Sequence, residues 1–413
     1  MFNKYILFLF CSFRLLQAGA QNTRNLDFYL QQGSRNSPLL NENYNQAEAV
    51  RIDSLKIRSA QQPRINLFAN TMYAPVIKGY GYDEAITNSG NYAGGVQASL
   101  PFLNGRNIKA EYESASIQHK VANNTLRLNQ HDLEKQITDL YLAAQLNFTQ
   151  INFTGKIVES LRHETEVLKE LFQKGIGRQT DYMAVSIELQ TQNIQLENFK
   201  LLYKSDIILL NSICGIRDTQ SIELVPANLQ LKTVFNSINS PLFYKFSLDS
   251  LSLENQRNLV DVRYRPHLNL FGDAGLNSSH LTGIYQTLGF SFGLTFLMPL
   301  YDGHQRNLDY KKIELGQQTR KNYQDYFTNK FSLQRAQISA QIASGERIIV
   351  QLQQQQKDAE LLVKLIKQQF LNGLATTTDY IVALRNHLNI SNELNTALVK
   401  KQLLINENNY WTW

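Results

Sequence analysis

The chain has 413 residues, a formal charge of +6, two cysteines and 43% hydrophobic residues. Beyond the amino terminus no segment approaches the roughly 18–20 uninterrupted apolar residues of a membrane-spanning helix, so any passage through a bilayer has to be built from strands. The basic residues form no run of the kind nucleic-acid binders use, and the histidines hold no pair at metal-ligand spacing, so neither nucleic acid, metal nor cofactor is expected.

Residues 1–20 read as a secretory signal: Lys4, an apolar run from Tyr5 to Phe13, then Ala18-Gly19-Ala20 before a cut at Gln21. Processing removes Cys11, Lys4 and Arg14, which leaves Cys214 without a partner for an internal disulfide. A short helix near 40–60 leads into two strands. In the first, Ile65, Leu67, Ala69 and Tyr73 alternate with Asn66, Phe68 and Asn70; in the second, Val96, Ala98 and Leu100 alternate with Gln97 and Ser99. After Pro101 and Gly105 the period becomes helical. Residues 107–172 lack proline and have only Gly155 as a weak point, which at about 1.5 Å per residue gives a rod of roughly 100 Å. The rod closes at Lys174-Gly175-Ile176-Gly177-Arg178-Gln179, where glycine supplies the left-handed conformation. Thr180 is the expected cap of a return helix over 180–213, with Asp181 in its favourable first turn. Residues 215–240 read as a connector with strand or loop character around Ile222 to Val225.

A helix near 240–262 precedes strands at 266–278 and 288–298. The second of these is the clearest in the chain: Leu288, Phe290, Phe292, Leu294, Phe296 and Met298 alternate with mostly small or polar residues. About ten residues of this kind, tilted, cross a hydrocarbon layer, although a soluble sandwich strand looks the same singly. A second rod runs from about 305 to 370. In it Ile342, Gly345, Ile349, Leu352, Gln356, Ala359, Val363, Ile366 and Phe370 recur at alternating intervals of three and four, the seam of a coiled coil. It closes at Asn372-Gly373-Leu374-Ala375-Thr376-Thr377; Thr378 is the expected cap and Asp379 the first-turn carboxylate of a return helix over 378–409.

The layout therefore occurs twice, about 198 residues apart: Pro101 matches Pro299, Gly105 matches Gly303, Gly175 matches Gly373, and Thr180-Asp181-Tyr182 matches Thr378-Asp379-Tyr380. The expected organisation is a signal over 1–20, a first strand–helix repeat over 21–214, a connector over 215–240 and a second repeat over 241–413. The fold class is α+β: a long antiparallel coiled-coil assembly plus four strands per chain. Four strands cannot close a barrel, so other copies of the chain have to satisfy the edges, with two copies supplying eight strands or three supplying twelve.

Leu-Pro-Phe-Leu-Asn-Gly or Met-Pro-Leu-Tyr-Asp-Gly after a strand pair, then a long helix, then a Gly-x-x-x-x-Thr-Asp tip, all twice, resembles the TolC-type outer-membrane efflux family. The resemblance implies a homotrimer with a twelve-stranded barrel in outer-membrane lipid and a helical tunnel in the periplasm. Such a protein is a passive exit duct for efflux or type I secretion, served by an inner-membrane pump and a periplasmic adaptor. The adaptor would meet the tips at Gly175, Ile176, Gly177 and Thr180, and at Gly373, Leu374 and Thr378. Asp379, with Asp181, would form an entrance ring; the alternative is that both aspartates only stabilise helix starts. The family's second acidic ring falls at Val382 and its gate arginine at Ala375, so its latch does not carry over intact. A periplasmic adaptor or a trimeric coiled-coil adhesin are the competing classes, and the greasy face of Leu288, Phe290, Phe292, Leu294 and Phe296 argues against both. No catalytic constellation presents itself.

Overall fold

The computed structural model describes residues 23–75, 77–81, 89–102, 105–218, 220, 222–232 and 240–413. The expected signal over 1–20, Leu103-Asn104 of the strand–helix junction and part of the connector lie outside the described residues. Among the described residues the elements run α1 Leu26–Asn36, α2 Pro38–Ser59, β1 Arg64–Ala74, β2 Ser89–Phe102, α3 Gly105–Gln173, α4 Gln179–Ile213, α5 Pro241–Arg263, β3 His267–Ser278, β4 Leu288–Leu297, α6 Gln305–Leu371 and α7 Thr377–Trp411. Helix α1 has no counterpart in the sequence reading. It starts because the Asn25 side chain accepts from the Phe28 amide, and Asp27 sits in its first turn.

The chain divides into two compact units, one of residues 42–126 and 241–327, the other of residues up to 41, 127–240 and 328–413. The first holds one antiparallel sheet in the order β1-β2-β3-β4. Strand β2 begins seven residues earlier than its alternation suggests, because Gly90 to Gly95 carry little side-chain pattern and are fixed by backbone pairing, with β1 throughout and with β3 as well from Tyr92. Gly95 faces Gly275 across that pairing. A Cβ on Gly95 would stand 2.4 Å from the Ala274 carbonyl oxygen, so the close approach admits only glycine there. Helical residues of the same unit tie together through side-chain amides: Asn124 donates to the Pro241 carbonyl at 3.0 Å and Asn255 to the Ala110 carbonyl at 3.2 Å.

The second unit is helical. Its core buries Ile137, Tyr141, Leu142, Leu161, Ile207 and Leu210. The buried residues of α6, Phe331, Ile338, Ile342, Ile349, Leu352 and Ala359, follow intervals of seven, four and three, as the seam predicts. The connector passes along the start of the chain, where the Arg24 amide donates to the Glu223 carbonyl and the Val225 amide to the Arg24 carbonyl, both at 3.1 Å. Tyr203 and Tyr141 donate to the carbonyls of Ile222 and Val225 and hold it there. Cys214 is free and buried. Trp411 packs edge-on to Phe331 and Trp413 lies over His131, so both terminal tryptophans pack within this unit.

Candidate functional site

Register decides what each face of the sheet is made of. Side chains alternate along a strand, and directly paired residues share a face. The pairs Leu67–Val96, Val96–Ala274, Ala274–Phe290 and Leu270–Leu294 therefore put the apolar series of all four strands on one side. Leu288, Phe290, Phe292, Leu294 and Phe296 stand there, and Phe290 and Phe292 are each 82% exposed. The opposite side carries Asn66, Asn70, Gln97, Ser99, Asn269, Asp273, Ser291 and Thr295, with the Ser291 hydroxyl donating to Asp273 at 2.6 Å. Exposed aromatics mark both ends: Tyr73, Tyr80 and Tyr285 at one, Phe102 and Tyr301 at the other. A two-sided sheet with one continuous greasy face demands hydrocarbon or protein over that face, and aromatic rows at its limits are what the two surfaces of a bilayer favour. Strands β1 and β4 are the outer strands and each pairs on one side only. No described helix is long and apolar enough to cross a membrane.

The two helix turns share one geometry. Gly175 and Gly373 both have φ +74°, and Ile176 and Leu374 donate their amides back to the carbonyls of Leu171 and Gln369 at 3.0 and 2.8 Å. This six-to-one bond past a left-handed glycine satisfies carbonyls that the end of a helix leaves open. Gly177 is also pressed against Leu171: an added Cβ would stand 3.1 Å from that residue's own. Ile176 and Leu374 project into solvent.

The caps differ from expectation. Neither Thr180 nor Thr378 caps a return helix. Helix α4 starts after Arg178, which offers no side-chain cap, so Thr180 falls inside its first turn. Helix α7 starts after Thr376, which forms a reciprocal box with Asp379: the Asp379 amide donates to the Thr376 hydroxyl at 3.2 Å, and the Thr376 amide to the carboxylate at 3.0 Å. The Thr376 hydroxyl and amide hold the Asp379 carboxyl below its ordinary range. Asp181 accepts instead from the Thr377 hydroxyl of the other hairpin, so the partners of the two aspartates are consecutive residues.

Beneath the tips Leu161, Leu168, Val185, Leu384 and Leu388 form a core, with Phe370 stacked on Tyr380 at 5.9 Å. Further polar ties join the hairpins. Arg385 donates to the buried Glu188 at 2.8 Å and Lys367 pairs with Glu164, while within the second hairpin Gln356 of α6 donates to Ser391 of α7 at 3.1 Å. None of these was read from the sequence, because the partners lie 35 to 203 residues apart. Thr376 carried a readable signal, the Thr-x-x-Asp spacing of a capping box, inside a run of three threonines. Among the described residues no cluster of acidic, histidine or cysteine side chains fits a metal ion.

Residues 30–215 match the family profile described as outer membrane efflux protein. The resemblance is to the outer membrane efflux proteins. Solved structures that share the fold include the following three. A membrane protein from Pseudomonas aeruginosa is 15% identical, with a TM-score of 0.76 over 94% of this chain and 90% of its own. The outer membrane protein VceC from Vibrio cholerae is 13% identical, with a TM-score of 0.76 over 94% and 96%. The Campylobacter jejuni CmeC outer membrane channel is 14% identical, with a TM-score of 0.73 over 94% and 85%. At such identities the likeness is one of fold. No curated protein matches the chain by sequence.

Proposed function

We propose that this protein is a passive exit duct of the outer membrane, carrying substrates from an inner-membrane pump and its periplasmic adaptor to the exterior. The observation that carries the reading is the sheet: one exposed face apolar across four strands, the other mostly polar or small apart from Phe68, Met72, Phe271 and Leu297, and two outer strands with an unpaired edge. Backbone groups inside a bilayer have to be paired, so β1 of one copy closes on β4 of the next. Three copies make a closed barrel of twelve strands, wet within and greasy without. The two strand–helix repeats, 21–214 and 241–413, are pseudo-equivalent halves joined by the 215–240 connector, and the duplication gives each copy two hairpins. The family match over residues 30–215 and the shared fold support this reading.

The tips, with Gly175, Ile176, Gly177 and Thr180 on one hairpin and Gly373, Leu374 and Thr378 on the other, are the adaptor contact. Asp379 and Asp181 line the entrance. The duct has no energy source of its own, so the pump drives transport. Insertion of the purified protein into planar bilayers tests the reading: discrete current steps are expected. Intact trimers, shown to be inserted, that stay silent even after the tips are pulled apart overturn it.

A further inference from the structure

Three helices of the helical unit each give one face to a common cavity. On α3 Phe153, Ile157 and Leu161 recur every four residues, and on α7 Tyr380, Leu384 and His387 follow by four and three, spacings that keep each set on one side of its helix. Helix α6 adds Val363. The space they line measures about 390 Å³, which lies within the range of small-molecule sites. His387 stands ten residues beyond Thr377, the first residue of α7, or about 15 Å along the axis. The cavity is thus separate from the turns assigned to the adaptor.

Its polar groups do not cancel. His387 is buried, and its Nδ1 has no hydrogen-bond partner among the described residues, an uncommon state for a buried polar atom. Burial pulls its pKa down, so the ring is neutral at pH 7 and is free to carry its proton on Nδ1. Three lysines and one carboxylate line the same space. Lys364 is taken by that carboxylate, Glu360, at 2.8 Å, and Lys367 by the buried Glu164, which is not part of the lining. Lys156 has no ion-pair partner among the described residues. It stands one turn from Phe153, whose ring meets the His387 ring edge-on at 5.9 Å, so the free cation and the unpaired nitrogen belong to one end of the cavity. One uncompensated positive charge and one unpaired N–H beside an apolar wall match a ligand with a single negative group on an apolar body. Water alone matches less well, because it needs two to four polar partners and most of this wall offers none.

We propose that this cavity binds a small amphiphilic anion, its negative group held between the Lys156 ammonium and the Nδ1–H of His387 and its apolar body against Ile157, Leu161, Val363 and Leu384. Such a ligand touches α3 of the first hairpin and both helices of the second. The site lies in the helical wall and does not depend on whether the duct conducts. Calorimetric titration of the full-length protein in one nonionic detergent tests it, with β-naphthoate as the probe and β-naphthalenemethanol as its uncharged counterpart. Naphthoate should saturate one site per chain and bind at least about tenfold more tightly than the alcohol. Lys156→Met and His387→Leu should each weaken naphthoate at least about fivefold and change the alcohol less than about twofold, whereas Lys156→Arg should keep both. Circular dichroism checks that each variant is folded, and the shared detergent cancels partition into micelles. No saturable naphthoate binding at millimolar concentration, equal affinity for acid and alcohol, or naphthoate binding untouched by both Lys156→Met and His387→Leu overturns the proposal. None of these outcomes changes the current expected in planar bilayers, which tests the duct reading separately.

Discussion

Glu188 has 1% of its side chain exposed and relies for its charge on Arg385 and on an amide from Gln192 at 2.8 Å. Removing one partner of a buried pair leaves an uncompensated charge, which typically costs about 3–5 kcal/mol. The Arg385 side chain is 58% exposed, so water screens part of the interaction and Arg385→Met should cost nearer about 1–3 kcal/mol. Adding Glu188→Gln removes the buried charge and should recover most of that loss; denaturant unfolding of the single and double variants checks the order. His387, 8% exposed, has no partner for Nδ1 among the described residues, and burial pulls its pKa down, with Glu360 opposing the effect and Lys364 adding to it. A histidine depressed in the folded state stabilises fully above its unfolded pKa of about 6.5 and loses that contribution as pH falls. The parent should therefore lose more melting temperature between pH 7.5 and 5.5 than His387→Gln, and equal slopes would refute this. The glycines of both turns were legible in the sequence because backbone geometry constrains residue type locally. Glu188 and Arg385 were not legible, because their pairing is a product of tertiary packing between helices read separately.

At the scale of elements the strands divide in the same way. Strand β4 was legible to within one residue because its alternation is complete, whereas the first half of β2 was not, since Gly90, Gly94 and Gly95 carry no side-chain pattern and owe their place to neighbours. The helices were legible from punctuation, except for α1, whose capping asparagine stands close after a segment read as a signal. The two faces of β4 make opposite predictions for one substitution. Phe292→Lys puts a charge on the greasy face and should cost about 2–4 kcal/mol near the bilayer midplane, seen as a fall in the fraction of chains recovered as inserted trimers. Thr295→Lys, on the polar face, should insert like the parent. Equal yields for both would mean that this sheet does not meet lipid.

For the whole molecule, the acidic residues at the tips have two possible targets, passing ions and their own helices. The capping box uses one oxygen of Asp379 and keeps the carboxyl ionised well below neutral pH, which leaves the other oxygen and a full negative charge on an exposed side chain. Asp181 is partly committed to Thr377, so it is the weaker candidate. Three copies around a common axis would gather three such charges at the entrance, and divalent cations would bind there more strongly than monovalent ones because Coulomb attraction scales with charge. Asp379→Ala removes both the charge and the cap, whereas Thr376→Ala removes the capping hydroxyl and keeps the charge. In planar bilayers at low salt, where screening over about 10–30 Å is least, magnesium block should be relieved in Asp379→Ala and retained in Thr376→Ala. Block retained by both variants assigns Asp379 to its helix alone. Block relieved equally by both places the effect in the geometry of the α7 start, and the ring is then not what the passing cation meets.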